Sequence, residues 1–182
     1  HPRLELTLRV TDEVVDLLSE RIDLALRLGS SIVSDDVISQ QVGRFRRWLV
    51  ASPEYLARTP PIAHPSALQA HTCLQYDYGS PAHYWRFEQD GATLQVPVTG
   101  RLRSNNADIL RQAALTGQGV ALLSDWLVRD DVAEGQLQRL LPDYEVAPGP
   151  HEGTIHLLYL PNHRGSRRIA AFSAFLQGLL QG

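Results

Sequence analysis

Apolar side chains recur along this chain at two spacings, and the switches between them predict its elements. Leu4, Leu6 and Leu8 alternate with Glu5, Thr7 and Arg9, the period of two of a strand with one buried face. Val14, Val15, Leu17, Leu18 and Ile22 then fall on one stripe of a helix that Thr11 or Asp12 can cap. Residues 24–28 form a second strand, ended by Gly29. Strand, helix and strand in that order predict a right-handed parallel crossover, with Thr11 at a helix start open to a ligand. After a polar loop over residues 30–36, residues 37–52 are β-prone and broken at Gly43. Pro53 suits the first turn of a short helix, and Pro60, Pro61 and Pro65 hold the next loop extended. Residues 66–70 read as another short helix and 73–78 as a strand. Residues 84–88 and 93–98 flank Asp90-Gly91, a hairpin signal.

The most informative pattern lies between residues 100 and 128. Asn105 or Asn106 can cap a helix with Asp108 in its first turn, and Ile109, Leu110, Ala113 and Ala114 give it an apolar face. Gly117 and Gly119 stop that helix, and residues 120–123 are an apolar run suited to a buried strand. Ser124 or Asp125 can cap the helix that follows. Strand, polar turn, helix and buried strand make a βαβ unit, in which ligands sit at the helix start because free N–H groups point outward there. Residues 137–141 read as a strand, 142–150 as irregular with three prolines, and 154–160 as a further strand. Ser166 can cap a last helix whose apolar face is Ile169, Phe172, Phe175, Leu176, Leu179 and Leu180.

Composition narrows the classes. A chain of 182 residues suits one domain or two small ones sharing strands. Hydrophobic content of 43% with 20% charged residues is ordinary for a globular protein, and a net charge of −3 gives no general pull toward nucleic acid. No run is long enough to span a membrane, and the first residues are not a signal peptide. Cys73 is alone, so an internal disulfide is excluded, which fits a reducing cytoplasm.

Catalytic and metal readings find little support. His151 and His156 are five apart with Gly153 between them, unlike the helical i, i+4 pair of zinc proteases, so they read as polar residues at a strand start. Ser124 lacks a nucleophile elbow and is better explained as a cap. Glu5, Asp12 and Asp23 read as solvated or capping carboxylates. Gly117-Gln118-Gly119 follows a helix instead of a strand, which argues against a dinucleotide site. Cys73 reads as a small buried residue on a strand. In the run Arg44-Phe45-Arg46-Arg47-Trp48, alternating solvated arginines on a strand are expected, with Phe45 and Trp48 on opposite faces. Among Tyr76, Tyr78, Tyr84, Trp85 and Phe87, core packing is expected for Phe87 and one or two others.

Three blocks in order resemble the effector-binding domain of LysR-type transcriptional regulators. They are Val15-Asp16-Leu17-Leu18 with Arg21-Ile22-Asp23-Leu24-Ala25-Leu26-Arg27-Leu28-Gly29, then Leu49-Val50-Ala51-Ser52-Pro53-Glu54-Tyr55-Leu56, then Ser104-Asn105-Asn106 with Gly117-Gln118-Gly119-Val120-Ala121-Leu122-Leu123-Ser124-Asp125-Trp126-Leu127. The resemblance implies an α/β, two-lobed periplasmic-binding-protein-like (type 2) fold, each lobe a mixed sheet flanked by helices, joined by two crossover strands. Lobe I is expected over residues 1–47 and 149–182, and lobe II over 48–148. It implies no enzymatic activity, no cofactor and no metal. It implies a small organic effector between the lobes, with Thr11 from lobe I, Ser104, Asn105 and Asn106 from lobe II, and Tyr76 and Tyr78 bordering the cleft. Two facing helix starts favour a carboxylate. A homodimer or homotetramer is expected, with segment 4–10 or 14–22 of one subunit against the 108–116 helix of another. DNA would be reached only through a helix-turn-helix module absent from this chain, in a cytoplasmic protein with no membrane contact. The first strand and helix of the family's lobe I have no counterpart before residue 1, as in a fragment. A solute-binding protein of a transport system is the alternative on the same fold.

Overall fold

The computed structural model describes residues 5–11, 15–29, 36–78, 84–149 and 153–180. In chain order they form β1 (Ala25–Leu28), β2 (Ile38–Arg44), β3 (Arg47–Ala51), α1 (Pro53–Ala57), β4 (Cys73–Tyr76), β5 (Tyr84–Gln89), β6 (Ala92–Pro97) and β7 (Arg103–Ser104). Then come α2 (Ala107–Leu115), β8 (Val120–Ser124), α3 (Asp125–Ala133), β9 (Gln138–Leu140), β10 (Glu145–Pro148), β11 (Thr154–Tyr159) and α4 (Arg167–Leu180). Short 3₁₀ helices occupy Pro65–Ala70 and Pro161–His163. The chain divides into two compact units: unit 1 is His1–Arg44 with Gly153–Gly182, and unit 2 is Phe45–Glu152.

Unit 2 is built on a five-stranded mixed sheet of order β7-β4-β8-β3-β9. β7 and β8 both run parallel to β4, which lies between them, while β3 is antiparallel to β8 and β9. The apolar runs of β3 and β8 explain this position, because strands buried on both faces need no polar alternation. Leu49, Ala51, Val120 and Leu122 turn to one cluster with Phe87, Trp85 and Leu68. Val50, Ala121 and Leu123 turn to the other, with Leu110, Ala114, Val128 and Leu137. The first cluster also takes in the antiparallel β10-β5-β6 sheet, and the second takes in α2 and α3. Each fully buried Leu, Val or Phe contributes about 1.5–3 kcal/mol relative to exposure.

Local signals in unit 2 match the sequence closely. Ser52 Oγ accepts the Tyr55 N–H at the start of α1, beside Pro53. The hairpin turns at Asp90 and Gly91, both left-handed with φ of 50° and 78°, as a two-residue turn between twisted strands demands. α2 ends in a Schellman motif: the Gly117 N–H donates to Ala114 O and the Gln118 N–H to Ala113 O, with Gly117 at φ 72°. Two expectations fail here. The proline-rich stretch expected to be irregular contains β10, which pairs with β5 at a sheet edge, where a proline costs no ladder bond. The apolar face of α2 is narrower than expected, since Leu110 and Ala114 are buried whereas Ile109 faces solvent.

Unit 1 holds a three-stranded antiparallel sheet of order β1-β11-β2, with α4 against β2. Gly43 does not break the β-prone stretch. It lies inside β2 beside a bulge, where Ile155 pairs with Gly43 and His156 with Gln41, and the break comes at Phe45 and Arg46. The strand expected from the alternation of Leu4, Leu6 and Leu8 is not formed over residues 5–10, and Leu6, Leu8 and Val10 are exposed. A period of two becomes a strand only where a neighbour takes its hydrogen bonds, and the described sheet offers none. The helix expected after Thr11 is, within residues 15–22, a single turn. Asp16 Oδ1 accepts the Leu18 N–H at 2.9 Å, the Glu20 N–H donates to Asp16 O at 3.1 Å, and Arg21 at φ 52° ends it. The parallel crossover predicted from these elements is therefore not formed among the described residues. In α4 Ile169 is buried, but Phe175 and Leu179 of the expected apolar face are exposed. Asp12, Val14, residues 30–35, His151, Glu152 and the Leu180 side chain lie outside the described residues.

Candidate functional site

The parallel strands of unit 2 deliver their carboxyl ends to one edge of the sheet. Tyr76 ends β4, Ser104 ends β7 in register with it, and Ser124 ends β8. β3 runs the other way, so its first residue, Arg47, pairs with Ser124 at the same edge. α2 starts after β7 and crosses β4 to reach β8, and α3 starts at Asp125. Strand ends followed by helix starts around a crossover are where open α/β sheets take ligands.

Most residues expected in lobe II meet at this edge. Ser104 Oγ accepts the Asn106 N–H at 3.0 Å, and the Asp77 N–H donates to Ser104 O at 2.9 Å. Asn106 is the cap of α2: its Oδ1 accepts the N–H groups of Asp108 at 3.0 Å and Ile109 at 3.2 Å. Asn105 is exposed between them and does not cap. The rings of Tyr76 and Tyr78 lie 4.6 Å apart at 45°. Burial pushes the Tyr78 phenol up, and a hydrogen bond and charge from Arg47 oppose that. The residue as a whole keeps 36% of its surface. Thr11 belongs to unit 1, where it is exposed outside any helix or strand.

The sequence reading missed three neighbours and misjudged a fourth. Arg44 and Arg46 are exposed as expected, but Arg47 lies over the Phe45 ring, 4.5 Å from its centroid. Phe45 packs on Trp126 of α3 at 4.8 Å. The signal was present, because positions i and i+2 of an extended chain share a face. Trp48 faces elsewhere, under Arg139 at 4.8 Å. Ser124 holds the cap position of α3, yet its side chain makes no capping hydrogen bond.

Other buried polar groups in unit 2 serve structure. Arg111 Nε and Nη2 each donate to Asp131 at 2.6 Å, tying α2 to α3 in a two-pronged pair that raises the arginine pKa. Tyr55 Oη lies 3.1 Å from His71 Nδ1 and accepts the Thr72 N–H at 3.1 Å. Burial holds His71 below the usual histidine range and pushes the Cys73 thiol up to about 12. Cys73 is thus the buried strand residue expected, and an unreactive one. In unit 1, His156 is buried on β11 with Nδ1 3.2 Å from Ser39 Oγ. Among the described residues no three His, Cys, Asp or Glu groups are placed to hold a metal, and no helix is long and apolar enough to cross a membrane.

Two α/β units sharing a chain that crosses between them, with a polar edge at strand ends and helix starts, define a regulatory or solute-binding domain of the periplasmic-binding-protein-like kind. The family model described as "LysR substrate binding domain" matches residues 1–181, and the chain belongs to that family. It is 37% identical over 145 residues to the HTH-type transcriptional regulator DmlR of Escherichia coli K12, covering 79% of this chain and 47% of that protein. It is 32% identical over 171 residues to the HTH-type transcriptional regulator PtxR of Pseudomonas aeruginosa, covering 94% and 53%. The chain spans about half the length of these curated relatives. Among solved structures it resembles full-length AphB, a Vibrio cholerae virulence activator, with a TM-score of 0.77, 25% identity and coverage of 98% and 59%. It also resembles CrgA, a LysR-type transcriptional regulator from Neisseria meningitidis, with a TM-score of 0.74, 27% identity and coverage of 91% and 55%. These relatives are transcriptional regulators, which disfavours the transport alternative.

Proposed function

We propose that this chain is the effector-sensing domain of a bacterial transcription factor. It binds a small organic molecule, in the first place a carboxylate, at the strand-end edge of unit 2. The observation that supports this reading is the convergence of Tyr76, Tyr78, Ser104 and Asn106 at the carboxyl ends of β4 and β7 in a chain of this family. Asn105, next to the cap and not used by it, offers its amide to the ligand. Binding biases the oligomer that carries the DNA-reading modules, by the difference in ligand affinity between its two states, typically about 1–3 kcal/mol. That oligomer is a homodimer or homotetramer using the outer face of α2, where Ile109 and Gln112 are exposed. The domain itself does not read DNA and catalyses nothing.

The test is thermal unfolding of the whole chain with a panel of small carboxylates, repeated for Ser104→Ala and Asn105→Ala. A carboxylate should raise the unfolding midpoint of the wild type, and both substitutions should weaken that protection. Undiminished protection in both variants would remove this edge as the site.

A further inference from the structure

Four arginines of unit 2 are matched to a carboxylate. Arg58 pairs with Glu54 at 2.9 Å, Arg86 with Glu88 at 3.9 Å, Arg111 with Asp131, and Arg129 with Asp125 at 3.8 Å. Arg139 covers Trp48 and donates to Pro142 O at 3.1 Å. Arg47 differs. Among the described residues no carboxylate lies within ion-pair reach of it, although it is only partly exposed. Its guanidinium lies over the Phe45 face, 4.5 Å from the ring centroid, and its charge and a hydrogen bond oppose the upward push of burial on the Tyr78 phenol. Asp125, at the near end of α3, is directed to Arg129, and its N–H is taken by Arg46 O at 3.0 Å.

A guanidinium fixed on aromatic rings has lost much of its rotamer freedom already, so less is lost when it binds an anion. It keeps a fork of N–H donors that fits a carboxylate with two parallel bonds. The surroundings of Arg47 are two aromatic pairs, Tyr76 with Tyr78 and Phe45 with Trp126, and Trp126 is 47% exposed. Such rings offer flat apolar surface to the body of a ligand. Resting on the effector-site reading above, we infer that Arg47 is the anion-reading residue of this edge. Its ligand is a monocarboxylate with a planar or apolar body, the carboxylate on Arg47 and the body along Tyr76 and Tyr78.

The experiment compares matched probes on the whole chain: phenylacetate, its neutral amide phenylacetamide, and acetate, each titrated calorimetrically at low and high salt. Phenylacetate should bind the wild type at least about tenfold more tightly than either of the others, and lose affinity with salt. Arg47→Gln should bring phenylacetate down to the level of the amide and abolish the salt dependence. Arg47→Lys, which keeps the charge without the fork, should fall between. Circular dichroism of both variants checks that the sheet is retained, and Arg47→Lys carries the test if the glutamine variant does not fold. Three outcomes overturn the inference. If Ser104→Ala weakens phenylacetate and Arg47→Gln does not, Arg47 is a packing residue only, and the effector-site reading stands. If neither change matters while phenylacetate binds, both readings fall. If no probe binds the wild type, the ligand class is wrong.

Discussion

Units 1 and 2 handle the same kind of sequence pattern with opposite results. In unit 2 the apolar residues of β3 and β8 divide cleanly between two closed clusters, and the helices α2 and α3 lie across one of them. In unit 1 the residues that alternate or recur most regularly are the ones left outside. Leu26 and Leu28 of β1 are 46% and 54% exposed, and Phe175 and Leu179 of α4 are 58% and 63% exposed. Periodicity says which side chains share a face, and not whether anything covers that face. Unit 2 covers both faces of its five-stranded sheet with its own elements. Unit 1 leaves apolar surface on both its sheet and its helix, so its stability is more open to change by whatever it meets.

The largest expected effect sets a core position against an exposed one. Leu110→Ala should cost about 3–4 kcal/mol in chemical denaturation, because Leu110 is fully buried on the inner face of α2. Phe175→Ala should cost no more than about 0.5 kcal/mol. Comparable losses for the two would erase the contrast between the units. Next in size is Asp131→Ala, which leaves the Arg111 guanidinium facing a site shaped for a carboxylate. A loss of about 3 kcal/mol is expected. Restoring stability with the double change Arg111→Met and Asp131→Leu would show that the pair specifies the α2–α3 contact without adding net stability.

Smaller still is the difference between neighbouring asparagines. Asn106→Ala should lower stability by about 1 kcal/mol, as loss of a two-bond cap requires, and Asn105→Ala should leave it unchanged. Thermal unfolding of the two proteins side by side decides this, and equal losses would mean that both side chains hold the helix start. The smallest effect is a pH dependence. His71 Nδ1 lies 3.1 Å from the Tyr55 hydroxyl in a buried site. Burial lowers the folded-state pKa of His71, so the unfolded chain takes up a proton that the folded one refuses. Stability should be steady at alkaline pH and fall as pH drops through about 6.5, the ordinary histidine value. In His71→Gln the same descent should be shallower, and an identical slope would assign the acid sensitivity to other groups.

Much of unit 2 was legible because its signals are local. Ser52-Pro53, Asp90-Gly91, Asn106 with Asp108, and Gly117 each specify a backbone conformation within a few residues. Unit 1 was less legible because its elements depend on distant partners. The alternation at Leu4, Leu6 and Leu8 is a strand signal without a strand to pair with, and Asp16 caps one turn that Arg21 ends. The candidate site shows the same division. Ser104 and Asn106 were picked out from a turn at a helix start, and the two tyrosines only through the family resemblance. Arg47, Phe45 and Trp126 were not, because they are joined by the β3–β8 register across more than 70 residues. That β10 forms from a proline-rich stretch was equally hidden, since only the open edge of β5 makes it a strand.

One glycine ties these matters to how loss-of-function mutants would distribute. At Gly119 a Cβ would come within 2.4 Å of Thr72 O, so any side chain there pushes the start of β8 away from β4. Ser124 stands at the far end of the same five-residue strand, about 13 Å on. A substitution at Gly119 therefore displaces one wall of the proposed site while touching no ligand. In a genetic screen for regulators blind to their inducer, alleles of Gly119 would cluster with those of Ser104, and a map of hits would overstate the footprint of the small molecule. Thermal unfolding without ligand tells them apart. A Gly119 allele should lose much stability, because its clash is with the Thr72 backbone oxygen and no shortened side chain nearby relieves it, whereas a Ser104 allele should lose far less.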